Sequence, residues 1–208
     1  MCGRYTLAAA QRPELQHLGL SLSDRFNIAP QSDVLVQLDS GVTQFLRWDF
    51  SPAWAKAPLH ITNARAETLS EKPAFRGVHR CAFVADGWYE WQRESGKKVP
   101  WYHHCEGSLL HFAGIYLPDG GCAIVTTQAQ SDIAHVHHRQ PLLLGSETLN
   151  TWFGGAHPDE CLVTVPIRVH QVSPRVNRAS IDEPSLTAPV SSQMIEASLG
   201  ITGDLFAE

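Results

Sequence analysis

Arg80-Cys81-Ala82-Phe83-Val84-Ala85-Asp86-Gly87-Trp88-Tyr89-Glu90-Trp91 is the stretch whose reading sets the fold class. Cys81–Ala85 is a short apolar run closed by a turn-forming Asp-Gly pair, which predicts a strand. If the chain stays extended after Gly87, period-two alternation sends Trp88, Glu90 and Gln92 to one face and Tyr89 and Trp91 to the other. Runs of the same kind recur outward in both directions: Val34–Leu38, Val42–Trp48, Val99–His104, Leu109–Tyr116, Cys122–Thr127 and Leu162–Val165. Asp119-Gly120-Gly121 is a turn between two of them. Helical patches are fewer: Pro13–Leu18, Ser131–His135, Ser146–Phe153 and Ser191–Leu199, the last followed by Gly200 as a stop. No repeat, low-complexity tract or linker divides the chain. The sum is one mainly β, α+β domain.

Composition narrows the function classes. The chain has 208 residues, 43% hydrophobic and 18% charged, too apolar and too weakly charged for disorder. No apolar run reaches the ~18–20 residues that cross a bilayer, and Met1-Cys2-Gly3-Arg4-Tyr5 lacks the features of a secretory signal. Five cysteines without a CxxC pair suit a reducing, cytoplasmic compartment. The net charge of −5 is unevenly spread: residues 47–104 carry +3 and five of the six tryptophans (Trp48, Trp54, Trp88, Trp91, Trp101). Basic groups among aromatics suit a single-stranded nucleic-acid groove, one binding phosphate and the other stacking bases. An ordinary aromatic core with a solvated charged face gives the same composition.

Four places hold chemistry. Cys2, once Met1 is removed, carries an α-amine and a thiol on adjacent carbons. The amine, with a reference pKa of about 7.7, is substantially neutral at physiological pH and adds to aldehydes. The thiol can then close a five-membered thiazolidine, which no internal cysteine can do. A small residue tolerated after the initiator is the alternative. Glu90, set between tryptophans, is costly to ionise, so a raised pKa suited to proton transfer is expected; an exposed carboxylate on an edge strand is the plainer reading. In Thr62-Asn63-Ala64-Arg65-Ala66-Glu67-Thr68, Asn63 offers donor and acceptor and Arg65 a phosphate fork, unless this is a helix entry with an internal Arg–Glu contact. The cluster His135-Val136-His137-His138-Arg139 lacks the spacing of a structural zinc site. A single histidine acting as acid/base beside Arg139 fits it better than a metal. No cofactor is expected.

Taken in chain order, these pieces resemble the SRAP family, the SOS-response-associated peptidase-like proteins. The resemblance runs from Met1-Cys2-Gly3-Arg4-Tyr5 through Arg25-Phe26-Asn27-Ile28-Ala29-Pro30, Arg47-Trp48, Trp54 and Thr62–Thr68. It continues through Arg80–Trp91, Phe112-Ala113-Gly114, Val125-Thr126-Thr127 and His137-His138-Arg139-Gln140-Pro141 to Val190. It implies a compact domain over residues 1–190 with a central antiparallel, barrel-like sheet, and a C-terminal helix and tail over 191–208. It also implies capture of the abasic-site aldehyde in single-stranded DNA as a thiazolidine crosslink. Carried over position by position, Cys2 is the nucleophile, Asn63 orients the lesion and the amine, Glu90 is the general acid/base and His137 the proton shuttle. Arg4, Arg65 and Arg139 then bind phosphates, Thr126 lies beside the lesion and Trp54 stacks. The partner is single-stranded DNA, with no membrane, and a monomer is the default expectation. Three positions depart from the family pattern: Asp49 after Trp48, Gln130, and Gln140 before Pro141. Two other readings stay open, a cysteine hydrolase of the N-terminal-nucleophile type and a non-catalytic single-strand binder.

Overall fold

A computed structural model of the protein describes residues 2–190. Along them run β1 (Tyr5–Ala8), α1 (Pro13–Gln16), β2 (Asp24–Ile28), β3 (Asp33–Leu38), β4 (Thr43–Arg47) and β5 (Asn63–Arg65). These are followed by β6 (His79–Ala85), β7 (Gly87–Glu94), β8 (Lys97–His104), β9 (Leu110–Leu117) and β10 (Gly121–Gln128). The last elements are β11 (Arg139–Pro141), β12 (Leu143–Leu144), α2 (Ser146–Phe153) and β13 (Arg168–Gln171), with short 3-10 turns between. The mainly β, antiparallel architecture is as expected, its strands divided between two sheets that do not close into a barrel. One has the order β13-β8-β7-β1-β2; the other runs β11-β10-β9-β6-β3-β4, with β12 added on β9 and β5 on β10. Pairing is antiparallel except for β5 with β10.

The chain passes from one sheet to the other at Asp86, the single residue between β6 and β7. Its carboxylate is held by Arg12 Nε at 2.7 Å and by the Ala8 amide, and its own amide donates to Thr6 O at 2.8 Å. Gly87 follows because the strands meet too closely for a side chain: a Cβ there would lie 2.3 Å from His103 O. Gly121, with φ +69°, closes the Asp119–Gly121 turn where a Cβ would strike Asp49 O.

Alternation along the strands sorts the apolar residues into three layers. Tyr5, Trp48, Phe83, Trp88, Phe112 and Ile124 fill the space between the two sheets. Their strand neighbours Ala82, Ala113, Ala123 and Val125 face the opposite way and pack under Trp152 of α2. Trp152 is locked there by its indole N–H on Cys81 O at 2.9 Å and by the Arg80 guanidinium 3.7 Å above its ring. Tyr89 and Trp91, on the outer face of β7, pack with Tyr102, Val172, Val176 and Leu186. The two-faced reading of residues 88–91 therefore matches the observed layers.

Leu162–Val165 is not a strand but an irregular segment, and Ser131–His135 is a series of turns instead of a helix. Both stretches find hydrogen-bond partners in side chains, described below, that local pattern does not reveal. Ser191–Leu199 lies outside the described residues, as does the division at residue 190. Thr62–Thr68 is β5 followed by a 3-10 turn, and Glu67 pairs with Arg139 and not with Arg65.

His103 on β8 lies only 2% exposed, its ring stacked on Trp88 at 4.8 Å and 15°. Burial pushes its pKa down to about 3. The unfolded chain therefore binds a proton that the native state refuses, and stability is lost as pH falls from about 6.5 through about 3. His103→Gln is expected to flatten the urea-midpoint profile in this window, by at most about 1.4 kcal/mol per pH unit.

Candidate functional site

Register brings the N-terminus to Glu90. Tyr5 stands opposite Trp88 and Thr6 opposite Gly87, and the Tyr89 amide donates to Arg4 O at 2.9 Å. The same antiparallel register, continued, sets Gly3 level with Glu90. Glu90 is 4% exposed and Cys2 fully buried. Burial foremost, and the nearby Glu90 charge second, push the Cys2 thiol pKa well up, so the sulfur is held as a neutral thiol.

Asn63 arrives from the other sheet. The Phe50–Ile61 bridge and the Trp48 indole N–H on Thr62 O, at 2.9 Å, steer the chain into β5. Asn63 Nδ2 donates to Cys2 O at 2.8 Å and to Thr62 Oγ1 at 3.1 Å. Its Oδ1 is buried with no hydrogen-bond partner. Asn63 and Cys2 thus meet across the two sheets, with Glu90 close enough to act on the Cys2 thiol.

A second connected set lies on β10 and β11. Arg139, 9% exposed, grips Glu67 with both terminal nitrogens and also donates to the Thr126 carbonyl and, at 3.3 Å, its hydroxyl. The pairing holds the Glu67 carboxyl below its usual range. His137 Nδ1 lies 3.0 Å from the Arg139 amide nitrogen and 3.2 Å from the Arg139 carbonyl oxygen, which ties the ring back to its own loop. Thr126 is fully buried, its hydroxyl also reaching Ala64 O at 3.4 Å. Arg65, one strand over and opposite Thr126, is exposed.

Two expected DNA contacts stand elsewhere. Arg4 donates to Asn27 Oδ1 at 2.7 Å and to Val176 O at 3.0 Å, tying β1 to the tail. Trp54 is 63% exposed on the loop after Pro52, over a shallow recess of about 510 Å³ shared with Pro73, Arg76 and Leu117. Among the described residues no group of three or more His, Cys, Asp or Glu is arranged to hold a metal.

Sequence reasoning missed the residues that position the histidine loop. Gln92 shares the Glu90 face of β7; its Nε2 donates to His135 O at 3.1 Å while its Oε1 accepts from Trp101 Nε1 at 3.1 Å. At the loop base the Gln130 amide donates to Gln140 Oε1 at 2.8 Å, and the Gln130 side chain makes a two-way bond with the Val165 backbone at 3.0 and 3.2 Å. Two of the three departures thus meet each other and brace the loop. The third, Asp49, is paired with His60 at 3.0 Å. The alternating position of Gln92 beside Glu90 was the one available signal.

Because Arg139 is buried in a charge pair and Arg65 is not, their stability effects should separate. Arg139→Ala is expected to cost about 1–3 kcal/mol in urea unfolding, by orphaning Thr126 and Glu67, while Arg65→Ala stays within about 0.5 kcal/mol.

The family described as SOS response associated peptidase (SRAP) matches residues 1–179. "Abasic site processing protein YoqW" of Bacillus subtilis is 31% identical, with 89% of this chain and 98% of that protein covered. "Abasic site processing protein HMCES" of Gallus gallus is 28% identical, covering 90% and 68%. A solved protein from Bacteroides thetaiotaomicron shares the fold at a TM-score of 0.75 and 20% identity, over 91% of this chain and all of that one. Another, a phage-related protein from Bordetella bronchiseptica, superposes at 0.66 and 27% identity, over 82% and 94%. With the family matching residues 1–179 and a relative 31% identical over most of both chains, the chain belongs to the SRAP family.

Proposed function

We propose that this chain processes abasic sites: with Met1 removed, Cys2 captures the ring-opened aldehyde of an abasic site in single-stranded DNA and holds it as a thiazolidine. The observation that carries this reading is Asn63, whose amide grips the Cys2 carbonyl while its own oxygen lies buried and unpaired. A buried acceptor without a donor costs about 1–3 kcal/mol. An α-amine at residue 2 supplies that donor and is oriented by it. The names borne by relatives, abasic site processing proteins, point the same way.

The chemistry balances on these residues. The amine nitrogen adds to the aldehyde carbon, the former carbonyl oxygen takes a proton, and the resulting hydroxyl leaves as water to give an imine. We assign Glu90 and His137 to give and take these protons. The thiol sulfur then adds to the imine carbon and its proton ends on the ring nitrogen. Net, aldehyde and aminothiol become thiazolidine and water. A thiol kept neutral by burial and by Glu90 suits this order, with the amine acting first. A hydrolase mechanism starts from a thiolate, which the same environment opposes. A passive binder leaves the Asn63 oxygen unexplained. On the strand itself, direct contacts are assigned to exposed Arg65 and Trp54. Arg4, Thr126 and Arg139 are engaged internally and are not assigned direct contacts.

Incubating the processed protein with single-stranded DNA bearing one abasic site tests the proposal. A heat-stable adduct is expected. Cys2→Ala keeps the amine and should give only an imine that borohydride traps, together with strand nicking by β-elimination. An unremovable residue before Cys2 should abolish both products; a full yield of adduct from that extended chain rules the thiazolidine out.

Glu90→Gln preserves shape but cannot cycle a proton. Adduct formation or reversal should slow by about 10²–10⁴, with the thermal midpoint within a few degrees of the parent. Unchanged rates in both directions remove Glu90 from the mechanism.

A further inference from the structure

Gln92 shares one face of β7 with Trp88 and Glu90, and its amide is used at both ends. Its Nε2 donates to His135 O and its Oε1 accepts from Trp101 Nε1, each at 3.1 Å. Each partner has one role only: an indole N–H donates and a backbone carbonyl accepts. Together they fix which way the amide points. They also fix the residue type, since a carboxylate cannot donate to the carbonyl and a lysine or arginine cannot accept from the indole. His135 completes a triangle, its ring meeting the Trp101 ring edge-on at 5.8 Å and 89°. Trp101 is the register partner of Glu90 on β8. Gln92, Trp101 and His135 thus dock the loop between β10 and β11 onto the strand pair that carries Glu90. His137 stands two residues further along that loop.

The loop's own bonds leave its position along β7 open. The Ile133 and Val136 amides donate to Gln130 O and Ile133 O at 3.2 and 3.1 Å, and His135 Nδ1 lies 3.1 Å from Asp132 O. All of these stay within the loop. Ile133 and Val136 are 2% and 4% exposed, but apolar burial is non-directional and holds depth more than register. Gln130 and Gln140 act at the base, where the loop leaves the larger sheet. The Gln92 bond supplies a directional contact to β7.

We infer that Gln92 is a positioning residue for the capture chemistry: by fixing the loop at His135, it sets where His137 stands relative to Glu90. The two groups assigned to proton transfer come from different sheets, Glu90 from β7 and His137 from the loop joining β10 to β11. Their separation is therefore set by a tertiary contact and not by either strand. Proton transfer works only within hydrogen-bond reach, directly or through one water. A displacement of about 1 Å can cost about a hundred-fold in rate. Gln92 is assigned no contact with the reacting atoms and acts through the loop. The inference rests on the capture reading above for the rate effect it predicts.

The test combines single-turnover adduct formation, on single-stranded DNA with one abasic site, with hydrogen exchange of the 129–139 segment in the free protein. Gln92→Met keeps length and neutrality but loses the N–H donor and the strong acceptor. Its rate at saturating DNA is expected to fall about ten- to a hundred-fold. The DNA concentration for half-maximal rate and the thermal midpoint should stay near the parent. Loop amides should exchange about ten-fold faster while the β7–β8 strands keep their protection. Trp101→Phe retains a ring against His135 but frees the Gln92 oxygen, and should slow the reaction about two- to five-fold. In a His137→Ala background Gln92→Met should cost nothing further, because a residue acting through the histidine has nothing left to position. An undiminished rate in Gln92→Met, or its full loss repeated on top of His137→Ala, overturns the inference. So does a His137→Ala chain that reacts at the parental rate. A rate that falls only in step with a lowered thermal midpoint also overturns it and leaves Gln92 to the fold alone. A parent chain that forms no adduct overturns the capture reading; the loop's placement by Gln92 is then upheld by faster exchange confined to 129–139 and overturned by parental exchange.

Discussion

One hydrogen bond, from Asn63 Nδ2 to the Cys2 carbonyl, joins residues that belong to different sheets. The segment before β1 lies against β7 in the five-stranded sheet, whereas β5 enters the larger sheet through its parallel pairing with β10. Cys2 therefore sits where the two layers close, buried on all sides, with Glu90 contributed by its own sheet. The rest of the site depends on this closure. It holds the residue-2 backbone at the side chain that has one more acceptor to offer, and it keeps the thiol out of water.

The polar groups around this point are bonded mostly to one another. Arg139 is spent on Glu67 and Thr126, its amide on His137, and Arg4 on Asn27 and Val176. Buried donors must find acceptors, so such residues stabilise the walls first. Satisfying them also fixes what the walls present: the His137 ring is held to the Arg139 backbone, and the loop bearing it is pinned at one end by Gln92 and at the other by Gln130 and Gln140. Trp54, Arg65 and the His60 side chain are, by contrast, exposed.

The environment of the thiol supports an amine-first chemistry on physical grounds. Desolvation and a neighbouring carboxylate both penalise the thiolate. An amine that reacts as the neutral base suffers no such penalty, and the thiol is needed only once an electrophilic imine is beside it. Under the capture chemistry we propose, a single buried pocket suits two nucleophiles acting in turn.

The strand pattern was legible along most of the chain because its period of two is local: Phe83 against Ala82 and Trp88 against Tyr89 already name the two faces of their strands. Cys2, Asn63, Glu90 and His137 stood out by residue type and order. What sequence alone could not supply was every relation that joins distant segments. That the strands split into two sheets at Asp86 is decided by packing. That Leu162–Val165 is irregular depends on Gln130, some thirty residues away, satisfying its backbone. That Arg139 is interior while Arg65 is exposed depends on Glu67 and Thr126 being carried to it. That Asp49 carries a histidine partner depends on the return of the loop through Phe50 and Ile61. Pattern records the face a residue shows; only the closed structure decides what that face meets.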